Sequence, residues 1–460
     1  MPPPAIATST RIVRIGPVEH RRGRKYKRGM LLRFTYNVLL CLALPIVWLR
    51  LFVRARREPA YAERRGERFG RVPARVGQDV VWFHTVSAGE TIGAAPVIRA
   101  LKSRLPDARF LVTTMTPAGS AQVIERLGDI VDHCYAPYDF PWAVRRFVRR
   151  VRPRALFLME TELWPNLIGA THASGASVSL INARLSERSA RGYRRVGPLT
   201  RRVLAQLDQV ICQYDDTARR FDELGVASER LSVTGSIKFD LALPDDLDDE
   251  VRRLREAWVG DRRAWIAGST HPGEDEIVLD AQRALAERFP GLLLILAPRH
   301  PARADRVAML ARERGLHAAM LSAGPGGRDD RTPDVLVVDA MGRLIYLYGV
   351  ADVAFLGGSL VPVGGHNPIE AAAHGIPLLM GPHRFNWTEI VRRFSDAQCL
   401  HGVSPDRLAA IVGDLLADDA RRRSQGRRAR SVVQENQGVT RELEARMLSV
   451  LSGPDKTPRK

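Results

Sequence analysis

Four stretches of this 460-residue chain carry side chains that could do chemistry: His84–Glu90 (HTVSAGE), Glu160–Trp164 (ETELW), Pro298–Pro301 (PRHP) and Leu356–Trp387. The last runs through Gly357, Gly358, Ser359, Gly364, Gly365 and His366 into Asn367, Pro368 and Ile369–His374, and Gly375 stops it. Glycines let backbone N–H groups approach a ligand without a Cβ in the way. Asn367 reads as an N-cap and Pro368 as the first helical residue, so free amides and the positive end of a helix would face the glycine loop and favour a phosphate or carboxylate. Glu370, one turn in, would accept hydrogen bonds from sugar hydroxyls, and with His383, Arg384 and Asn386 nearby a nucleotide-sugar is the expected ligand. A plain tight turn is the competing reading, since neither G-x-x-x-x-G-K-[ST] nor G-x-G-x-x-G occurs there.

Glu90 is the candidate general base. It follows an apolar run and stands after Gly89, where a glycosyl transfer with inversion needs one carboxylate to take a hydroxyl proton. Ser87-Ala88-Gly89-Glu90 is equally an S-x-x-E capping box, and spacing alone leaves both readings open. A helix start would lower the pKa of such a carboxylate, so Glu90 is expected to be ionised at neutral pH. Glu160 and Glu162 flank Thr161, and only one of them is expected to face a ligand. Lys238 and Arg299 are candidates for a phosphate or sugar carboxylate, against the commoner fate of solvated charge. His300 and His366 lack a second ligand at helical or hairpin spacing, and Asp246-Leu247-Asp248 sits in an acidic linker before a basic helix, so no metal is expected.

Strand-like runs at 80–84, 108–114, 155–160, 176–181 and 209–213 alternate with helical segments, and a second set follows at 264–269, 292–298, 334–340, 352–357, 376–381 and 397–400. That alternation predicts α/β architecture with two doubly wound, Rossmann-like domains facing a cleft. Ligands in such sheets sit past the carboxyl ends of strands, which adds Ser269, Met341 and Gly342 to the candidates. The expected division is 58–243 and 244–435, with a C-terminal helix and tail at 436–460. Residues 1–29 are basic and poor in apolar side chains, so disorder is expected; Met1 and Met30 are both candidate starts. Within 30–57, Phe34–Trp48 and Leu51–Val53 are apolar and flanked by arginines, which predicts a membrane anchor, either a short span bent at Pro45 or a helix in the interface. The excess of 70 Lys+Arg over 51 Asp+Glu, a net charge of +19, calls for an acidic partner. With 7% aromatic residues and no base-stacking clusters, nucleic acid is disfavoured against an anionic membrane or a phosphorylated substrate. The scattered Cys41, Cys134, Cys212 and Cys399 read as free thiols.

Seven ordered stretches, PIVWLRLFVRARREPAYAERRGERFG (45–70), WFHTVSAGE (82–90), METELWPNL (159–167), INARLSERSARGY (181–193), GSIKFD (235–240), LAPRHPAR (296–303) and GGSLVPVGGHNPIEAAAHGIPLLMGPHRFN (357–386), resemble those of the Kdo transferases, which move 3-deoxy-D-manno-octulosonic acid from CMP-Kdo to the lipid A precursor. The resemblance implies a GT-B fold, an inverting transfer without metal or other cofactor, and an anchor at the cytoplasmic face of the inner membrane. It implies that Glu90 is the catalytic base, which decides the open reading toward function, and that Arg299–Pro301 and Asn367–Glu370 match CMP-binding positions, with Met341, Gly342 and Leu344 as further nucleotide contacts. The 58–243 domain would then receive the acceptor and 244–435 the donor.

Overall fold

The computed structural model describes residues 22–73, 76–325 and 332–453. Residues 1–21 of the basic extension, most of the Gly324–Asp330 loop and the tail beyond Gly453 lie outside them. The chain divides into two compact units, residues 1–234 with 441–460, and residues 235–440. The division falls at Thr234/Gly235 rather than 243/244, and the terminal helix Val439–Leu451 returns to the first unit, where Arg154 donates to the Leu451 carbonyl at 3.0 Å. The acidic run that reads as a linker is instead the start of helix Leu247–Leu254. Asp240 binds the returning chain through the N–H groups of Gly438, at 2.6 Å, and Thr440.

The first unit is built on seven parallel strands, β1 (Val80–His84), β2 (Arg109–Thr114), β3 (Asp132–Tyr135), β4 (Ala155–Met159), β5 (Ser177–Ala183), β6 (Gln209–Cys212) and β7 (Leu231–Val233), in the order β3-β2-β1-β4-β5-β6-β7. The second repeats the plan with β8 (Ala264–Thr270), β9 (Leu293–Pro298), β10 (Ala318–Met320), β11 (Val335–Val337), β12 (Val353–Leu356), β13 (Leu378–Met380) and β14 (Leu400–Gly402), ordered β10-β11-β9-β8-β12-β13-β14. Helices cover both faces of such sheets, so inner strands are apolar on both sides and read as unbroken runs. Every residue of β1 and β4 is buried. β1 pairs with β4, His84 opposite Leu158, which puts the loops after these two strands side by side.

The apolar N-terminal segment forms helices Arg22–Leu42 and Leu44–Arg57, bent by 48° at Ala43. The first helix thus begins within the stretch expected to lack structure, and the bend precedes Pro45. No single helix is long and apolar enough to cross a membrane among the described residues, though the bent pair passes by length and composition. One face of the first helix is bonded to its own unit: Tyr36 donates to buried Asp139 (2.9 Å), and Asn166 donates to Asn37 (2.8 Å). Asp139 also accepts from the Asn166 and Leu167 N–H groups, capping helix Pro165–Ala173. Leu31, Phe34, Leu39 and Leu42 of the first helix are exposed, as are Ile46, Leu49 and Phe52 of the second.

Close packing in the second unit yields a test with an unusual sign. Gly426, inside helix Asp419–Glu435, lies so near the backbone of Gly375 that a Cβ would run into its carbonyl oxygen. Gly→Ala in a free helix stabilises by about 1 kcal/mol. Here Gly426→Ala is expected to destabilise by about 1–3 kcal/mol through overpacking, read from denaturant midpoints; a raised midpoint would show that the contact yields.

Candidate functional site

In the first unit the chemistry gathers at the carboxyl ends of β1 and β4. Helix Ala88–Arg104 is capped by Ser87, whose Oγ accepts from the Glu90 N–H at 3.3 Å, and Gly89 is exposed in its first turn. The Glu90 carboxylate folds back over this turn: Val86 N–H donates to Oε2 at 2.8 Å and Ser87 Oγ to Oε1 at 2.9 Å. The helix start is therefore capped reciprocally, by the N–H of Val86 rather than that of the N-cap Ser87, which orients the carboxylate while leaving each oxygen further lone-pair capacity.

The strand before Glu160 ends at Met159, and Glu160 adopts a left-handed φ of +55°. Strand alternation places residues two apart on one face; here the strand stops short of the pair, and both carboxylates act on Glu90. Trp164 Nε1 donates to Glu162 at 2.7 Å and its ring packs edge-on against buried His84. Burial pushes the Glu90 carboxyl up to about 7, opposed by the Val86 N–H and reinforced by the charges of Glu160 and Glu162. The expectation of a carboxylate fully ionised at neutral pH is thus corrected: desolvation and like charge outweigh the helix start. Burial and Glu160 also raise Glu162. His84 is pushed down to about 3 by burial and stays neutral.

In the second unit a cavity of about 470 Å³ opens at the carboxyl ends of β8 and β9. Ser269, Arg299, Pro301, Met341, Gly342, Leu344, His366, Asn367 and Glu370 line it with the apolar side chains of Leu241, Ile345 and Trp387, a size and mix suited to a small polar ligand. Lys238 stands beside it, Nζ 4.9 Å from the Trp387 ring centroid. Ser269, at the end of β8, has φ +59°, backbone strain of the kind that clusters at ligand sites. Asn367 accepts from the Ile369 N–H and donates to Glu370 Oε1, both at 3.0 Å, so it fixes the carboxylate. Burial raises Glu370, against Asn367 and Arg299. His300 is exposed and outside the cavity lining.

The glycine loop differs from its sequence reading. Glu274, fully buried, accepts from the N–H groups of His271 (2.9 Å) and Gly358 (2.6 Å) on Oε2, and from Ser359 (3.0 Å) and Leu360 (2.9 Å) on Oε1. Gly364 and Gly365 donate to the Gly358 carbonyl, and Ser359 Oγ bridges the Leu356 carbonyl and the Gly381 N–H. The N–H groups of Gly358 and Ser359 are thus taken by the protein's own carboxylate, and that of Gly365 by the Gly358 carbonyl. The following helix is only Ile369–Ala373, with Pro368 at its N-cap position and Asn367 capping from outside it; five residues give little dipole. Asp246 accepts from Tyr346 Oη at 2.9 Å and precedes helix Leu247–Leu254, a helix-start role. Among the described residues no three His, Cys, Asp or Glu side chains form a metal cluster. Sequence reasoning missed Glu274, whose partners lie far along the chain, and Trp164 and Trp387, which sat beside chosen residues and could have been found as their packing partners.

Residues 63–241 match the family model described as 3-deoxy-D-manno-octulosonic-acid transferase (kdotransferase). A 3-deoxy-D-manno-octulosonic acid transferase of Haemophilus influenzae is 37% identical over 418 residues, 89% of this chain and 97% of that one. One from Bordetella pertussis is 38% identical over 428 residues, with the same coverages of 89% and 97%. Among solved structures, UDP-GlcNAc 2-epimerase from Neisseria meningitidis aligns with a TM-score of 0.53 at 13% identity, over 80% of this chain and 99% of that one. That likeness concerns the fold alone, two parallel sheets of the GT-B kind.

The Glu274 knot is open to a direct check. Glu274→Gln turns an N–H donor toward backbone N–H groups and should cost about 1–3 kcal/mol in chemical unfolding. An unchanged midpoint would mean that the loop does not depend on this carboxylate.

Proposed function

The chain belongs to the 3-deoxy-D-manno-octulosonic-acid (Kdo) transferase family, and from that premise we propose that it transfers Kdo from CMP-Kdo to the lipid A precursor with inversion, in lipopolysaccharide synthesis, with Glu90 as general base. The observation that carries the mechanism is the Glu90 carboxylate, held at a strand end by Val86 and Ser87 and pushed up to about 7. A base with a pKa near the working pH combines an ionised fraction with driving force for proton transfer. The acceptor hydroxyl oxygen forms the new bond to the anomeric carbon, its proton passes to Glu90, and the bond from that carbon to the phosphate oxygen breaks with its electron pair leaving on CMP.

The cavity of the second unit supplies the donor site in this reading. Arg299 offers a guanidinium to the phosphate or the sugar carboxylate, Asn367 and Glu370 offer polar contacts to hydroxyls, and Met341 and Leu344 offer apolar surface to the nucleoside. A second reading, a non-transferring nucleotide-sugar enzyme such as an epimerase, would share the fold, but 37% identity over 418 residues to a transferase outweighs a 13% likeness of fold.

The exposed apolar face of the bent helix pair lies against the inner membrane in this reading, with the enzyme on the cytoplasmic face. Arg33, Arg145, Arg149, Arg152 and Arg154 line a groove of about 1810 Å³ in the first unit, which suits anionic headgroups at about 1 kcal/mol per cation near the surface. The polar bonds of Tyr36 and Asn37 to the folded unit favour a helix lying in the interface over one released to span.

Purified protein with CMP-Kdo and the tetraacylated lipid A precursor, analysed by mass, tests the reaction. Glu90→Gln is expected to lower turnover about 10²–10⁴-fold with CMP affinity retained; near-normal turnover removes Glu90 from the mechanism. Because the base works deprotonated, transfer should rise with pH through about 7, and Glu162→Gln, which removes one of the charges raising Glu90, should move that rise to lower pH. A profile flat between about pH 5 and 8 would contradict the assignment.

A further inference from the structure

Behind one wall of the cavity two imidazoles form a unit that the reaction above does not use. His366 lines the cavity, and His271, on the loop after β8, lies nearly coplanar with it: the ring planes differ by 6°, the centroids are 5.2 Å apart and the two Nε2 atoms 2.9 Å apart. Nitrogens at that distance need one to carry hydrogen and the other a lone pair. Both rings sit against Gly358, where a Cβ would meet His366 at 3.1 Å and His271 at 3.4 Å. The Glu274 carboxylate that ties down Gly358 also takes the His271 N–H, so one buried group fixes the loop and the pair.

The charges around the pair are unbalanced. His271 faces Glu274, which favours a proton, and Arg303, His300 and Arg299, which oppose one; His366 faces Arg299, His300 and His271, all opposing. Burial acts in the same direction, first among the causes for both, so His366 is pushed down to about 4 and His271 lies below the ordinary range. The cavity therefore holds a neutral pair beside the exposed guanidinium of Arg299.

We propose that His271 and His366 act as a single proton-accepting unit, taking up one proton when the donor's anionic group seats against Arg299 and His366. The proton adds at Nδ1 of whichever ring donates through Nε2, and that ring's Nε2–H stays on its partner's lone pair as a charge-assisted bond. A second proton would set two N–H groups against each other, so the capacity is one. His366 meets the ligand, and His271 is a positioning residue that acts through it. The inference rests on reading the cavity as the donor site.

The probe is the methyl ester of CMP, a phosphodiester with no proton of its own to exchange near neutrality. Its binding to the full-length protein is followed calorimetrically in buffers of low and high ionisation enthalpy. The expected result is uptake of a measurable fraction, up to about one proton per ester near pH 7, with affinity that weakens as pH rises. His271→Gln keeps a hydrogen-bonding group toward His366 but cannot hold charge, and should bind the ester with this uptake lost. Binding by the wild-type protein without proton exchange, or equal uptake by His271→Gln, overturns the inference and leaves the donor-site reading standing. Should neither the ester nor CMP bind, the donor-site reading falls and this inference falls with it. The wild-type measurement decides the matter even if the variant does not fold.

Discussion

Four backbone N–H groups converge on the buried carboxylate of Glu274, two on each oxygen, and the shape of the cavity depends on that convergence. A carboxylate removed from water is costly unless its lone pairs are filled. Here the filling comes from loops at the ends of two adjacent strands, β8 and β12, so the same bonds that compensate the charge set the spacing between the loops. Gly358 can then take its left-handed φ of +65°, and the imidazoles of His271 and His366 stack on a surface without a Cβ.

Glu90 is the counterpart in the first unit, and the difference between the two carboxylates lies in how far each is filled. Glu274 has no direction left in which to accept, whereas Glu90 receives one N–H and one hydroxyl and retains capacity on both oxygens. Glu274 is wholly buried; Glu90 is partly open to solvent. Glu160 and Glu162 add negative charge beside Glu90. Saturation makes a strut, and partial saturation beside like charge makes a group poised to take a proton.

The inner strands were legible because burial on both faces leaves a continuous apolar run: 80–84 was expected and Val80–His84 is observed. The strands that escaped notice, β3 (DHCY), β7 (LSV) and β10 (AAM), are all edges of their sheets, short and paired on one side only. Their sequences carry no such run, since an edge need not be apolar on both faces. In the site, Glu90 and the residues around Asn367 stood out because their local spacing is itself a motif. Glu274 did not, because three of its donors, Gly358, Ser359 and Leu360, are more than 80 positions away and nothing nearby marks it. The His271–His366 contact spans 95 positions and is hidden for the same reason. The glycine loop gives its N–H groups at Gly358, Ser359 and Leu360 to Glu274, and a loop that welcomes an anion looks the same in sequence whether the anion is a ligand or a side chain of the same protein.

The two sites use crowding of like charge in opposite senses. Around Glu90 neighbouring carboxylates make ionisation harder, while around His366 neighbouring cations make protonation harder, and burial strengthens both effects. The carboxyl of Glu90 is thereby raised to about 7, and the imidazole of His366 is pushed down to about 4. In the proposed reaction an anionic donor would change the charge beside His366 by neutralising Arg299, while an arriving hydroxyl would meet a carboxylate whose proton affinity has already been raised. In that proposal the net positive charge of the whole chain would draw anionic substrates in, while at Glu90 and His366 it is the local excess of one sign that sets proton affinity.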